Sequence, residues 1–160
     1  MVVILVALMV GLALGRLMAM QADAERVSME TVAGTLRSAL GMKVAESIVR
    51  GEMRELAALE GANPMERLAQ LPTNYLGALD QPDVATLEDG HWYFDIASGE
   101  LVYLIRNKAH FSGGASNPPR ARFAVRLVYA DRNRNGRYDP SVDAVEGVRL
   151  TAVEPYNWMR

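Results

Sequence analysis

The chain has 160 residues, half of them hydrophobic, with a formal net charge of -2 and no cysteine. Without a basic excess, a phosphate-neutralising nucleic-acid surface is disfavoured. Without cysteine there are no disulfides, Cys-ligated zinc sites, iron–sulfur clusters or thiol chemistry, and two histidines are too few for a multi-histidine metal site.

Met1 to Gly15 (MVVILVALMVGLALG) is uncharged; Arg16 interrupts the run and Leu17 to Met20 resumes it. A helix rises about 1.5 Å per residue, so a hydrocarbon core of roughly 30 Å needs about 20 apolar residues. Met1 to Met20 meets that length if Arg16 reaches for the headgroups along its apolar stem. The competing readings are a cleaved signal peptide, whose basic n-region is missing, and the core helix of a soluble protein.

From Gln21 the pattern becomes that of an amphipathic helix. Val32, Leu36, Leu40, Val44 and Ile48 recur every four residues, with Val27 and Met29 leading in, which predicts an apolar stripe lying on a head. Glu25, Arg26, Glu30, Arg37, Lys43, Glu46 and Arg50 are expected on its solvated side. Gly34 and Gly41, about two turns apart, share a face on which another backbone can come close. Gly51 bends or ends the helix, and Glu52 to Glu60 reads as helical again. Asn63 as cap and Pro64 at the first helical position start a short helix through MERLAQL, stopped by Pro72.

Thr73 to Asp89 reads as loop. His91 to Asp95 and Leu101 to Arg106, rich in aromatic and β-branched residues, predict a hairpin. Asn107 to Arg120, with Gly113-Gly114 and Pro118-Pro119, reads as a long loop. Arg122 to Ala130 alternates Phe123, Val125, Leu127 and Tyr129 with smaller or polar residues, as a strand does. Val145 to Val153 makes a fourth strand, and Glu154 to Arg160 is an aromatic tail docked on the head. Trp92 and Trp158 read as hydrophobic anchors. The expected fold class is α+β: a long N-terminal helix, apolar then amphipathic, packed on a four-stranded antiparallel sheet. Its segments are 1–20 as a transmembrane or filament-core helix, 21–60 as stalk and 61–160 as head.

Two stretches carry a family resemblance. Val32-Ala33-Gly34-Thr35-Leu36-Arg37-Ser38-Ala39, shortly after Ala24-Glu25-Arg26-Val27, resembles the stalk of MSHA-type pilins and related pseudopilins. Trp92-Tyr93-Phe94-Asp95, followed by Ser98-Gly99-Glu100-Leu101-Val102-Tyr103, is similar to the first hairpin of that family's head. The resemblance implies a pilin-like fold and a structural, non-enzymatic subunit, taken as a minor one, of a type IV pilus or a type II secretion pseudopilus. It implies a single-pass protein of the bacterial inner membrane with a periplasmic head. Its partners would be the membrane and other pilin-like subunits, with no nucleic acid. Leu5, Leu8, Leu12, Gly34 and Gly41 are the expected assembly positions on the helix. The chain departs from the family at its start: there is no basic leader, and Leu5 stands where mature pilins hold a Glu. Either the true start lies upstream or the prepilin peptidase does not process this member. Leader processing and Glu-dependent docking are therefore not carried over. The alternative is a periplasmic ligand- or calcium-binding module anchored in the inner membrane.

One loop bears on that alternative. Asp131, Asn133, Asn135, Gly136 and Asp139 occupy places one, three, five, six and nine of a calcium loop. Val142 stands where the bidentate Glu belongs and Asp143 follows one residue late, while Arg132, Arg134 and Arg137 oppose a cation. Asp, Asn and Gly are equally the residues of a wide hairpin turn. A calcium site at Asp131, Asn133, Asn135, Asp139 and Asp143 and a plain turn both stand at this point; the residues favour the turn, and the resemblance adds weight to calcium, since some pseudopilin heads hold calcium between strands. His91 and His110 have no nucleophile or carboxylate at catalytic spacing and read as packing or surface residues.

Overall fold

In the computed structural model, which describes residues 2–113 and 117–159, a single helix α1 runs from Val2 to Arg50. No proline interrupts those 49 residues, and at about 1.5 Å each they extend roughly 70 Å. Gly51 ends the helix with φ +72. Its N–H donates to the Ile48 carbonyl at 3.2 Å, and the Glu52 N–H reaches back to Ser47 at 2.9 Å. This pair of closing bonds is a Schellman cap, which needs the left-handed backbone that glycine supplies without strain.

The expected helices beyond Gly51 are shorter and tighter than the sequence pattern suggested. Met53–Leu59 and Pro64–Arg67 are 3-10 turns. The Asn63 cap is made as expected, its side-chain oxygen accepting from the Met65 N–H at 3.1 Å. The MERLAQL helix nevertheless stops after one turn.

The head is built on five strands in the order β1-β2-β3-β5-β6. These are β1 (Tyr75–Leu79), β2 (Trp92–Asp95), β3 (Glu100–Leu104), β5 (Arg120–Ala130) and β6 (Ala144–Ala152). Strands β2, β3, β5 and β6 are antiparallel neighbours, matching the four expected strands. The fifth, β1, lies in the segment read as loop and runs parallel to β2, so the sheet is mixed rather than purely antiparallel. A separate ribbon pairs β4 (Phe111–Gly113) with β7 (Tyr156–Trp158). It docks the aromatic tail and orders part of the long loop. Gly113 is required there, because a Cβ would fall 2.5 Å from the Tyr156 Cα.

The main core lies between the sheet and α1. Phe123, Val125 and Leu127 of β5, Leu101 and Tyr103 of β3, Trp92 and Phe94 of β2, and Val148 and Leu150 of β6 meet Met29, Ala33, Leu36 and Leu40 of the helix. Trp92 packs 4.9 Å from Tyr103 and 5.8 Å from Phe123 between ring centroids, and Trp158 sits edge-on to Phe111 at 5.2 Å. Both tryptophans therefore serve as anchors. On the opposite face Tyr93, Val102 and Leu104 form a smaller cluster covered by Leu79, Val84 and Leu87. Burial on both faces explains why Leu101 to Ile105 is continuously apolar instead of alternating.

Most of the four-residue stripe faces the head: Leu36 and Leu40 are buried and Val32 and Val44 pack against the core. The buried positions of α1 are Ala22, Glu25, Met29, Ala33, Leu36, Ala39, Leu40 and Ser47, one face of a helix of 3.6 residues per turn. A strict step of four drifts around the helix, so Ile48 at its end is 61% exposed; the lead-in residue Val27 is 55% exposed.

Candidate functional site

The head grips α1 at one charged residue. Expected in solvent, Glu25 is only 9% exposed. Its Oε1 accepts from the Tyr103 hydroxyl at 3.1 Å and the Arg106 N–H at 2.7 Å. Its Oε2 accepts from the Asn107 N–H at 2.8 Å and the Asn107 Nδ2 at 2.6 Å. Four donors, two of them at the backbone after β3, satisfy a carboxylate that would be costly to bury bare. Burial, followed by the charge of Glu25 and its hydrogen bond, pushes the Tyr103 hydroxyl far above its ordinary 10.0. Beside this clamp opens a polar cleft of about 730 Å³, whose lining includes Gln21, Ser28, Asn74, His91 and Arg106. The His91 ring touches the Asp89 carbonyl at 3.3 Å. The Arg106 guanidinium donates to the same carbonyl at 3.3 Å, so the imidazole and guanidinium that line the cleft are both held on Asp89.

N-terminal to the clamp, α1 leaves the head. Ile4, Val6, Leu8, Met9, Val10, Leu14, Leu17, Met18 and Met20 are all more than half exposed. From Val6 onward α1 is long and apolar enough to cross a membrane, and 6% of its apolar window is buried within the chain. A core helix of a soluble domain would be mostly buried. Leu8 is 65% exposed; the side chains of Leu5 and Leu12 fall outside the described residues.

The remaining charges do not cover the outward face of α1 but flank it. Between Val27 and Val49 that face carries Val27, Thr31, Gly34, Ser38, Gly41, Met42, Ala45 and Val49. The hydroxyls are turned inward: Thr31 donates to the Val27 carbonyl at 2.7 Å and Ser38 to Gly34 at 3.1 Å. A Cβ at Gly34 or Gly41 would meet nothing within 4 Å, so the head does not use these glycines. Lys43 and Arg50 both pair with Glu46, at 3.3 and 2.8 Å, to one side.

The 131–143 loop joins β5 to β6. Asp131 accepts from the Asn135 and Gly136 N–H groups at 3.2 and 2.7 Å, Asn133 also from Asn135 N–H at 3.2 Å, and Asn135 from Arg137 N–H at 2.8 Å. Asp139 accepts from the Ser141 N–H and hydroxyl at 3.0 and 2.7 Å. Asp143, 5% exposed, accepts from the Arg132 and Asp139 N–H groups at 2.9 and 2.8 Å. Every candidate ligand thus organises backbone. Among the described residues, no group of three or more His, Cys, Asp or Glu is placed to hold a metal ion.

No family model matches this chain, and no curated protein or solved structure does either.

Proposed function

We propose that the protein is a structural subunit, pilin-like or pseudopilin-like, of a type IV pilus or type II secretion pseudopilus. Its head stands in the periplasm, and its N-terminal helix lies in the inner membrane before assembly and in a filament core afterwards. The observation that carries this reading is the division of α1: one half is clamped to the head, and the other projects with its apolar side chains unpartnered. Exposed apolar surface on that scale marks a membrane or protein contact. The stalk resemblance supplies the family, and the bare face through Gly34 and Gly41 allows the close backbone approach by which helices pack in lipid. Crosslinking of the full-length protein in cells tests it. Adducts with pilin-like subunits are expected; exclusive recovery of uncrosslinked monomer sinks the proposal.

A second reading is a membrane-anchored module that binds calcium in the 131–143 loop. It is favoured by the alternating oxygens of Asp131, Asn133 and Asn135 and by Gly136, whose φ is +74. A shortfall stands against it: the loop is closed by its own N–H donors, and Asp143 is turned to two of them. Melting the protein with calcium and then with chelator decides, because a ligand that binds the folded state raises the melting temperature. Equal melting temperatures remove calcium.

A further inference from the structure

The polar cleft beside the Glu25 clamp opens directly above the apolar part of α1. Gln21, Ala24 and Ser28 of its wall stand over Val10, Leu14 and Leu17, each just over half exposed. From Val10 to Ser28 the steps are four, three, four, three and four, so these residues form one helix face. With the hydrocarbon edge at Met20, Gln21 to Ser28 takes up the next stretch of about 12 Å. A headgroup layer is about 5–8 Å deep, so the cleft opens into it. Arg106 is fixed at that height. Its N–H is held by Glu25 at 2.7 Å, and its guanidinium donates to the Asp89 carbonyl at 3.3 Å. The guanidinium lies on Gly90, where a Cβ would fall 2.7 Å from Nη2. The carboxylates nearby are already matched: Glu25 holds four donors, Asp89 pairs with Lys108 at 2.8 Å, and Asp23 pairs with Arg26 at 3.5 Å. Arg106 is exposed and makes no ion pair among the described residues. One bond to a carbonyl leaves most of its five N–H donors without an acceptor. The side chains of Gln21, Ser28 and Thr73, also of the lining, make no hydrogen bond among the described residues.

We propose that, before assembly, the cleft holds the phosphate of an anionic phospholipid. Arg106 donates to the phosphate oxygens, Ser28 and Thr73 offer hydroxyls beside it, and an acyl chain runs along Leu17, Leu14 and Val10. This rests on the membrane reading above. A guanidinium with unused donors matches a phosphate in charge and in shape. The apolar track below it selects a lipid over a free phosphate. A headgroup without an ammonium presents its full negative charge to Arg106, whereas a zwitterionic headgroup brings a competing cation of its own.

The test uses the full chain in nanodiscs of phosphatidylcholine with a minority of phosphatidylglycerol. Native mass spectrometry after transfer to detergent counts the lipids that stay bound. Phosphatidylglycerol is expected in excess of its share of the bilayer. Arg106→Ala is expected to lower that excess about fivefold, the effect of one basic residue at an anionic surface. Arg106→Gln, which keeps the stem and a donor for Asp89, should show the same loss. Lys108→Ala removes an equal charge two residues away and outside the cleft, and is expected to change the excess far less. Circular-dichroism melts check that each variant is folded. Equal losses at Arg106 and Lys108, or no excess of phosphatidylglycerol, overturn the site and leave the membrane reading standing. Displacement of the lipid by millimolar glycerol phosphate overturns it in favour of a soluble phosphate. A full chain that does not enter nanodiscs at all overturns both.

Discussion

A buried carboxylate with four donors makes a sharp mutational target. Glu25→Ala leaves the Tyr103 hydroxyl and the Arg106 and Asn107 N–H groups without their acceptor. Orphaned buried donors lose about 1–3 kcal/mol each before water and relaxation recover part of it, so a destabilisation of about 3 kcal/mol is expected in denaturant melts. Glu25→Gln keeps one acceptor oxygen but turns an NH₂ towards Asn107, and falls between. A loss below about 0.5 kcal/mol for the alanine variant, the size of a neutral surface change, shows that the clamp does not hold the head. The phenols set a second expectation. Burial raises the hydroxyls of Tyr75, Tyr93 and Tyr156 as well as that of Tyr103. An unfolded chain releases these protons near pH 10.0, whereas the folded chain keeps them to higher pH. Their contribution is therefore complete below pH 10.0 and declines as pH rises beyond it. Unfolding measured across that boundary should show the decline, and Tyr103→Phe should make it shallower. An unchanged slope in that variant removes Tyr103 from the account.

At the scale of elements, α1 shows what a sequence pattern can and cannot carry. Its length was legible because apolar residues persist and proline is absent. Its buried face was legible at Leu36 and Leu40, with Val32 and Val44 packed beside them, and at the lead-in Met29. It failed at Ile48, where a period of four has drifted off a helix of 3.6 residues per turn, and at the lead-in Val27. Leu36→Ala is accordingly expected to cost about 3 kcal/mol, and Ile48→Ala less than about 0.5 kcal/mol. Comparable losses at both sites would restore the four-residue stripe. Glu25 was read as solvated because its partners lie some eighty residues away, beyond any local pattern. The β2–β3 hairpin and the β5–β6 pair were legible from aromatic and β-branched runs. Strand β1 was not: it is five residues long with Gly77 at φ +99 and breaks its register with β2. Its place comes from pairing with β2 across the intervening residues 80–91, as the Trp92 N–H to Asn74 carbonyl bond of 2.8 Å begins to show. The 131–143 loop was legible in composition only, since the same Asp and Asn oxygens that suit a cation also suit backbone N–H groups.

For the molecule as a whole, the two halves of α1 belong to different environments, and the boundary lies between Met20 and Glu25. Beyond it the helix contributes Met29, Ala33, Leu36 and Leu40 to the main core, so the head cannot be complete without residues 21–50. Before it, the described side chains touch little of their own chain. A protein starting at Gln21 is therefore expected to keep the clamp and the core, to stay in aqueous solution, and to unfold with a midpoint close to that of the detergent-solubilised full chain. A protein starting at Leu36 loses Glu25, Met29 and Ala33 together and is expected to lose cooperative unfolding. Circular-dichroism melts of the two truncations, beside sedimentation of the longer one, read both outcomes. If removing residues 1–20 lowered the midpoint as severely as removing 1–35, the apolar segment would be part of the head's own core. The proposal that its exposed surface meets lipid and other helices would then fall.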